Sequence, residues 1–178
     1  MLPDETAIRA LRGAGQGLTR PEIAVLLAYA KIDLNEALLV SPLPDDPAFA
    51  DDLRSYFPPP VRERFAAEIA GHRLRRELVA TLLCNDIVNR AGPAFVQGIA
   101  EATGAGIAAV ARAAVIATGA FRLAELYDRI NALDGKVTAA VQIAMHRTAI
   151  ELLRRQTQWM LRNVDAGAAI DRTVAQYR

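Results

Sequence analysis

The sequence has few of the residues that usually mark a catalytic or metal-binding site. Its 178 residues include one cysteine and two histidines, which excludes an intrachain disulfide and leaves no spacing typical of a zinc site. No serine lies in a G-x-S-x-G turn, so a hydrolase elbow is also excluded. The lone cysteine, Cys84, lies in an apolar stretch. Such surroundings favour an inert buried thiol over a nucleophile.

An excess of charge and a long apolar run are absent too. The chain has 21 Lys and Arg against 20 Asp and Glu, a net charge of +1, which provides no general attraction to nucleic acid or an anionic membrane. The longest apolar run, around residues 107–117, contains Arg112 and is shorter than the roughly 20 residues that a bilayer requires. Asp4, Glu5 and Arg9 interrupt any secretory signal pattern. We therefore expect a cytoplasmic protein without a membrane or nucleic-acid partner.

What the chain does contain is helix-forming sequence divided by glycine and proline. Apolar residues make up 52%, and no segment alternates as a half-buried strand would. The pattern predicts an all-α fold, a multi-helix bundle or orthogonal array of about 7–9 helices. We expect a single domain over residues 1–178, with a lead-in helix (4–12) and glycine-rich turn in 1–17, a helical core in 18–163 and the start of a further helix in 164–178. The predicted core helices are 20–40, 47–56, 61–70, 72–89, 94–103, 107–118, 121–133 and 137–163.

The clearest helix start is at Thr19. Thr19 is predicted as the N-cap, Glu22 three residues later completes a capping box, and Pro21 falls in the first turn. The stretch from Leu18 to Lys31 is otherwise largely apolar and contains nothing reactive. This stretch therefore predicts a helix but no catalytic or binding residue.

Helical spacing also predicts which faces of two long helices are buried. In the 72–89 helix, one stripe contains Leu74, Leu78, Leu82 and Asn85. In the 137–163 helix, the predicted apolar face consists of Val141, Met145, Thr148, Leu152 and Trp159. The predicted wet face of that helix consists of Arg147, Glu151, Arg154, Gln158 and Arg162, with Glu151 and Arg155 as an i,i+4 ion pair.

Two motifs resemble ligand-binding or DNA-binding turns. Residues 104–109 match the letters G-x-G-x-x-A of a dinucleotide turn, but the preceding residues predict a helix where that turn needs a strand. Ala100, Gly104 and Val110 have the spacing of a helix-turn-helix. The candidate recognition helix offers only Arg112 to DNA, so a packed helical corner is favoured in both cases.

Three polar groups have a structural and a functional interpretation. The basic cluster His72 to Arg76 is predicted as a solvated face or an interdomain salt-bridge site, with Glu68 and Glu77 nearby and Arg75 pointing away, rather than a phosphate site. Asn85 and Asn89 are expected to satisfy hydrogen bonds, with a ligand contact as the alternative. The aspartate pairs at 45–46 and 51–52 are better suited to capping helices and interacting with helix dipoles than to acid–base catalysis. No catalytic, cofactor-binding or metal-binding residue is assigned.

A series of short motifs resembles the C-terminal helical region of the large bacterial NAD-specific glutamate dehydrogenases. The series covers about residues 3–163 in order and spacing. It consists of Leu18–Lys31, Leu43–Pro47, Tyr56–Pro58, His72–Glu77, Asn85–Gly92, Glu101–Ala105, Ala132–Asp134 and Arg154–Trp159.

The resemblance implies a parent enzyme that converts L-glutamate, NAD and water to 2-oxoglutarate, ammonia and NADH. It places the catalytic and nucleotide-binding segments of that enzyme N-terminal to a region like this one. This chain is then expected to be non-catalytic and to hold no cofactor of its own. Its partners would be the rest of the parent polypeptide and other copies in a homo-oligomer. The alternatives are a free-standing helical interaction module and a DNA-binding domain. A domain separated from its parent should expose a sizeable apolar patch.

Overall fold

A computed structural model of the chain describes residues 10, 13–15 and 17–178. These residues form ten α-helices and two short 3-10 turns, without a strand. The all-α prediction is confirmed, whereas the lead-in helix predicted at 4–12 falls almost wholly outside the described residues. The helices are α1 (Arg20–Leu39), α2 (Ala50–Ser55), α3 (Pro59–Arg64), α4 (Ala66–Ala70), α5 (Arg75–Ala91), α6 (Phe95–Thr103), α7 (Ile107–Ala120), α8 (Leu123–Asn131), α9 (Ala139–Asn163) and α10 (Ile170–Tyr177).

Helix α7 is the centre of the fold. It contacts α1, α5, α6, α8, α9 and α10. Its alanines allow this close approach, because small side chains let neighbouring helix backbones come near. The buried residues of α7 are Val110, Ala111, Ala113, Ala114, Ile116, Ala117 and Ala120.

Local signals fix the helix ends. Glu22 accepts hydrogen bonds from the backbone nitrogen of Thr19 at 2.6 Å and from its hydroxyl at 2.8 Å, which confirms the predicted start of α1 and lowers the pKa of Glu22. Asp46 accepts from the backbone of Ala48 at 2.9 Å, as its predicted capping role requires. Gly104 ends α6 at φ 72°, a left-handed conformation that glycine adopts without a Cβ clash.

The segment predicted as one helix over 61–70 is two helices. Helix α3 ends at Arg64 and α4 begins at Ala66, because the backbone of Phe65 has φ −123° and ψ 37° and leaves the helical region. The first of these helices starts earlier than predicted, at Pro59, because prolines at the first helical positions need no intrahelical N–H partner.

Parts of the predicted stripe on α5 and of the predicted apolar face of α9 are exposed. Leu74 is exposed at the start of α5, and Val141, Met145 and Trp159 are exposed on α9. Successive residues of a helix are about 100° apart around its axis. A small rotation of the helix towards α7 therefore buries neighbouring positions in place of the predicted ones. The residues that α5 buries are Val79, Ala80, Leu83, Cys84, Ile87 and Val88, and those of α9 are Ala149, Leu153, Thr157 and Met160.

Within the part of the chain that the structure describes, no single helix is long and apolar enough to cross a membrane. Helices α6 and α7 reach that composition only as a pair bent by 112°.

Candidate functional site

A cleft of about 730 Å³ opens between α2, α5, α7 and α8. Its volume falls in the range of pockets that hold small organic molecules, about 300–1,000 Å³. Three of the lining residues are small, namely Thr118 and Gly119 on α7 and Ala124 on α8. The larger lining residues are mostly apolar and include Phe49, Tyr56, Val79, Leu82, Leu83, Ile87 and Val115.

The charged groups of the cleft are two carboxylates and one guanidinium. Asp86 accepts a hydrogen bond from Nε of Arg90 at 2.6 Å, and the guanidinium carbon of Arg90 lies 5.5 Å from the ring centre of Tyr127. Asp52, across the cleft on α2, has no ion-pair partner among the described residues. Partial burial raises the pKa of Asp52, and the negative charges of Asp86 and then Asp51 raise it further. One uncompensated carboxylate therefore remains at the rim.

Three further polar side chains line the cleft, those of Tyr56, Asn89 and Thr118. Asn85 uses its Oδ1 to accept from Nζ of Lys31, a side chain within α1, at 2.7 Å. Both asparagines nevertheless line the cleft, so the alternative of a ligand contact is compatible with their positions.

Tyr127 lies behind the Asp86–Arg90 pair. Its residue is 4% exposed, and its buried hydroxyl has no hydrogen-bond partner among the described residues. Burial raises the pKa of Tyr127, although the charge of Arg90 acts in the opposite direction. The ring of His146 stacks against Tyr127 at 6.0 Å.

Sequence reasoning missed this cleft. In the sequence, Asp51 and Asp52 have the pattern of helix-start residues, and nothing connects them with Asn85 and Asn89. The four walls come from segments far apart in the chain, so no local spacing brings Asp52 together with Arg90. The only available signal was the pair of asparagines one turn apart on α5.

The basic cluster connects the start of α5 to the end of α1 and the turn after it through hydrogen bonds and ion pairs. Arg76 donates to the carbonyl oxygens of Leu39 at 2.8 Å and Ser41 at 3.0 Å, and it forms an ion pair with Asp45. Arg75 does not point away as predicted, since it also approaches Asp45, at 3.9 Å. The cluster therefore forms ion pairs within the chain, with Asp45 in place of Glu68 and Glu77, whereas the predicted alternative to a solvated face was an interdomain salt bridge.

Cys84 is buried, and its Sγ donates to the carbonyl oxygen of Lys31 at 3.2 Å. Desolvation raises the pKa of the thiol, against the weaker opposing effect of Lys31. A protonated, buried thiol is a poor nucleophile. Within residues 10, 13–15 and 17–178, no group of three or more His, Cys, Asp or Glu side chains could hold a metal ion.

The turn between α6 and α7 is a packed corner. Neither side of it is a strand, so the dinucleotide motif has the wrong context. Arg112, the one basic residue of the candidate recognition helix, donates to the carbonyl oxygens of Ala168 and of Asp165, the latter at 3.5 Å. A helix buried in this way cannot enter a DNA groove, which argues against the DNA-binding alternative.

The second feature of functional interest is a pair of unburied helix halves, residues 20–33 of α1 and 139–148 of α9. No residue in either half is fully buried. Ile32 is 50% exposed and Ile143 57% exposed. Residues 139–145 contain no charged side chain, and residues 23–30 contain none either. Apolar helix surface of this kind is typical of contact with another protein segment.

Comparison with known proteins identifies a family whose sequence profile matches this chain. The profile of the family described as "Glutamate dehydrogenase, C-terminal" matches residues 15–178. Proteins named NAD-specific glutamate dehydrogenase are 42% identical over 161 residues in Halomonas elongata and 42% identical over 162 residues in Pseudomonas aeruginosa. These alignments cover 90% and 91% of this chain and 10% of each relative.

A protein of the same name from Mycobacterium tuberculosis is 36% identical over 181 aligned residues, which cover 99% of this chain and 11% of that protein. The chain therefore spans about a tenth of the length of the curated relatives it matches.

Proposed function

This chain belongs to the glutamate dehydrogenase C-terminal family, and we propose that it is a non-catalytic helical domain supporting the catalytic core of an NAD-dependent glutamate dehydrogenase. Membership confirms the family predicted from the motif series. The proposed parent reaction oxidises L-glutamate with NAD and water to 2-oxoglutarate, ammonia and NADH. In this proposal, NAD is a cofactor of the parent enzyme and is held outside the domain.

The observation that supports this proposal best is the state of α1. Apolar side chains surround this helix on all sides, as is typical of helices buried within a protein. Yet only Leu34 and Leu38, near its C-terminal end, are buried in the described structure. Leu27 and Leu39 pack against the core only in part, and Ile23, Tyr29 and Ile32 are exposed. A surface of this composition is stabilised by contact with a further protein segment.

Helix α9 supports the same conclusion independently. Ala149, Leu153, Thr157 and Met160 fix its C-terminal half in the core, whereas residues 139–148 extend for about 15 Å of helix without a buried side chain. The relatives have about nine-tenths of their length outside the matched region. We propose that this remaining polypeptide covers both unburied helix halves, and that contacts between copies extend the same surface in a homo-oligomer.

The test is the variant Ile143→Lys in the parent enzyme and in the isolated chain. A lysine in an apolar contact must be desolvated, so the parent enzyme should lose at least about 2 kcal/mol of stability or dissociate, with reduced dehydrogenase activity. The isolated chain should change by less than about 0.5 kcal/mol, because the position is already exposed. Thermal unfolding and sedimentation of both forms measure the difference.

Gln176→Lys on α10 is the matched control, since it adds the same charge at an exposed polar position. Equal behaviour of the two variants in the parent enzyme would contradict docking through α9. The isolated chain is also titrated with NAD and L-glutamate while NADH absorbance is recorded. Hydride transfer by this chain alone would overturn the non-catalytic assignment.

A further inference from the structure

The cleft between α2, α5, α7 and α8 has a charge balance that selects among ligands. Its lining contains two carboxylates, Asp52 and Asp86, and one guanidinium, Arg90. Arg90 already contacts Asp86 at 2.6 Å and lies over the ring of Tyr127. Asp52 therefore gives the open part of the cleft a net negative charge. An anion placed there would meet repulsion without a free cationic partner.

The rest of the lining determines the shape of a ligand. The floor is apolar, formed by Val79, Leu83 and Ile87 of α5 together with Phe49 and Val115. The aromatic ring of Tyr56 stands at the rim next to Asp52, and aromatic rings attract cations as well as apolar groups. A ligand that fits both parts has a cationic head at the rim and an apolar body against the floor.

We propose that this cleft binds a small organic cation, a protonated amine with an apolar body, whose ammonium group pairs with Asp52. The hydroxyl of Tyr56 and the amide of Asn89 are placed at the same rim and can accept further hydrogen bonds from the ammonium group. Glutamate, 2-oxoglutarate and NAD each carry a net negative charge, so the charge balance of the cleft disfavours them. The proposal is thus independent of the proposed role in glutamate dehydrogenase.

Three further features agree with this assignment. Partial burial, and after it the negative charges of Asp86 and Asp51, raise the pKa of Asp52, and a bound ammonium group would offset that repulsion. The cleft is lined in part by the small side chains of Thr118 and Ala124 and has a volume of about 730 Å³, enough for an amine with an aromatic or aliphatic body. Finally, none of the residues that line the cleft belongs to the unburied helix halves, although Asn85 of the lining contacts Lys31 of α1.

The test uses 2-phenylethylamine as the probe, titrated into the full 178-residue chain at neutral pH and followed by calorimetry. Two molecules of similar shape serve as comparison ligands, namely 2-phenylethanol, which is neutral, and 3-phenylpropionate, which is an anion. Saturable binding of the amine is expected, with binding of the alcohol weaker by about tenfold and no binding of the carboxylate. Absence of saturable amine binding, or equal binding of the alcohol, overturns the proposal.

Two variants locate the binding. Asp52→Asn should weaken amine binding by about tenfold or more, because it removes the only uncompensated charge. Asp51→Asn is the control, since that carboxylate is 91% exposed on the adjacent position and does not line the cleft. Ala124→Leu should abolish binding by filling the cleft, with circular dichroism reporting that the helices remain. Amine affinity unchanged by Asp52→Asn contradicts the assignment, whatever Ala124→Leu does to folding.

Discussion

At the scale of single residues, the polar side chains of this domain chiefly complete helix ends. Arg76 contacts the last carbonyls of α1, and Arg112 contacts carbonyls in the loop before α10. These partners lie 37 and 53 residues away in the chain. A sequence shows an arginine and its local neighbours but not a carbonyl at that separation. The approach of Arg75 to Asp45 likewise joins residues that are distant in the chain, and the local sequence does not predict it.

Cys84 gives a prediction about pH. Burial raises the pKa of the folded thiol above its ordinary value of 9.0, so the folded state holds this proton to higher pH than the unfolded state. The stability contributed by this difference is complete below about pH 9 and is lost as the pH rises through the folded pKa. Urea unfolding at pH 7.5 and pH 10 should show a larger loss for the wild type than for Cys84→Ala. The same loss in both proteins would contradict a buried, protonated thiol.

At the scale of helices, the starts and ends could be predicted within a few residues, but the buried faces could not. Thr19, Asp46 and Gly104 act on their own neighbours, so their signals are present in the local sequence. The face that α9 buries depends on its angle to α7, which no local spacing contains. The break at Phe65 could not be predicted either, because residues 61–70 contain no glycine or proline.

The contact between α7 and α10 makes a second prediction. A Cβ added to Gly119 would lie 3.0 Å and 3.1 Å from the two γ carbons of Val174, closer than packed carbon atoms normally approach. Alanine gains up to about 1 kcal/mol in helix propensity, but overpacking costs about 1–3 kcal/mol. We expect Gly119→Ala to destabilise the chain by about 1 kcal/mol in urea unfolding.

The double variant with Val174→Ala isolates the cause of that loss. Removing both γ methyl groups makes room for the new methyl, so the two substitutions should be coupled favourably. Their combined effect should be smaller than the sum of the single effects. Simple additivity would show that the Gly119–Val174 approach is not the source of the destabilisation.

At the scale of the whole molecule, α7 is surrounded while the N-terminal halves of α1 and α9 are not. Composition and helical periodicity were sufficient to predict an all-α fold. They were not sufficient to predict the cleft, because Asp52, Asn89 and Thr118 line it together only after three helices have packed. The motif series identified the family because it depends on order along the chain and not on packing.

Amide hydrogen exchange should follow this division. Backbone amides of α7 should exchange slowest, through global unfolding, because opening them requires the loss of contacts with most of the other helices. Amides in residues 20–33 and 139–148 should exchange faster through local opening. In the parent enzyme, protection of those two segments should rise while α7 changes little. Unchanged protection there would contradict the proposed docking surface.

The unburied helix halves also affect how copies of the isolated chain behave in concentrated solution. A net charge of +1 supplies almost no long-range repulsion between molecules. Sulfate and similar excluded salts strengthen apolar association, so they should lower the solubility of the chain steeply. A solution held at acidic or alkaline pH, where the net charge is larger, should remain clear at concentrations that turn cloudy near neutrality.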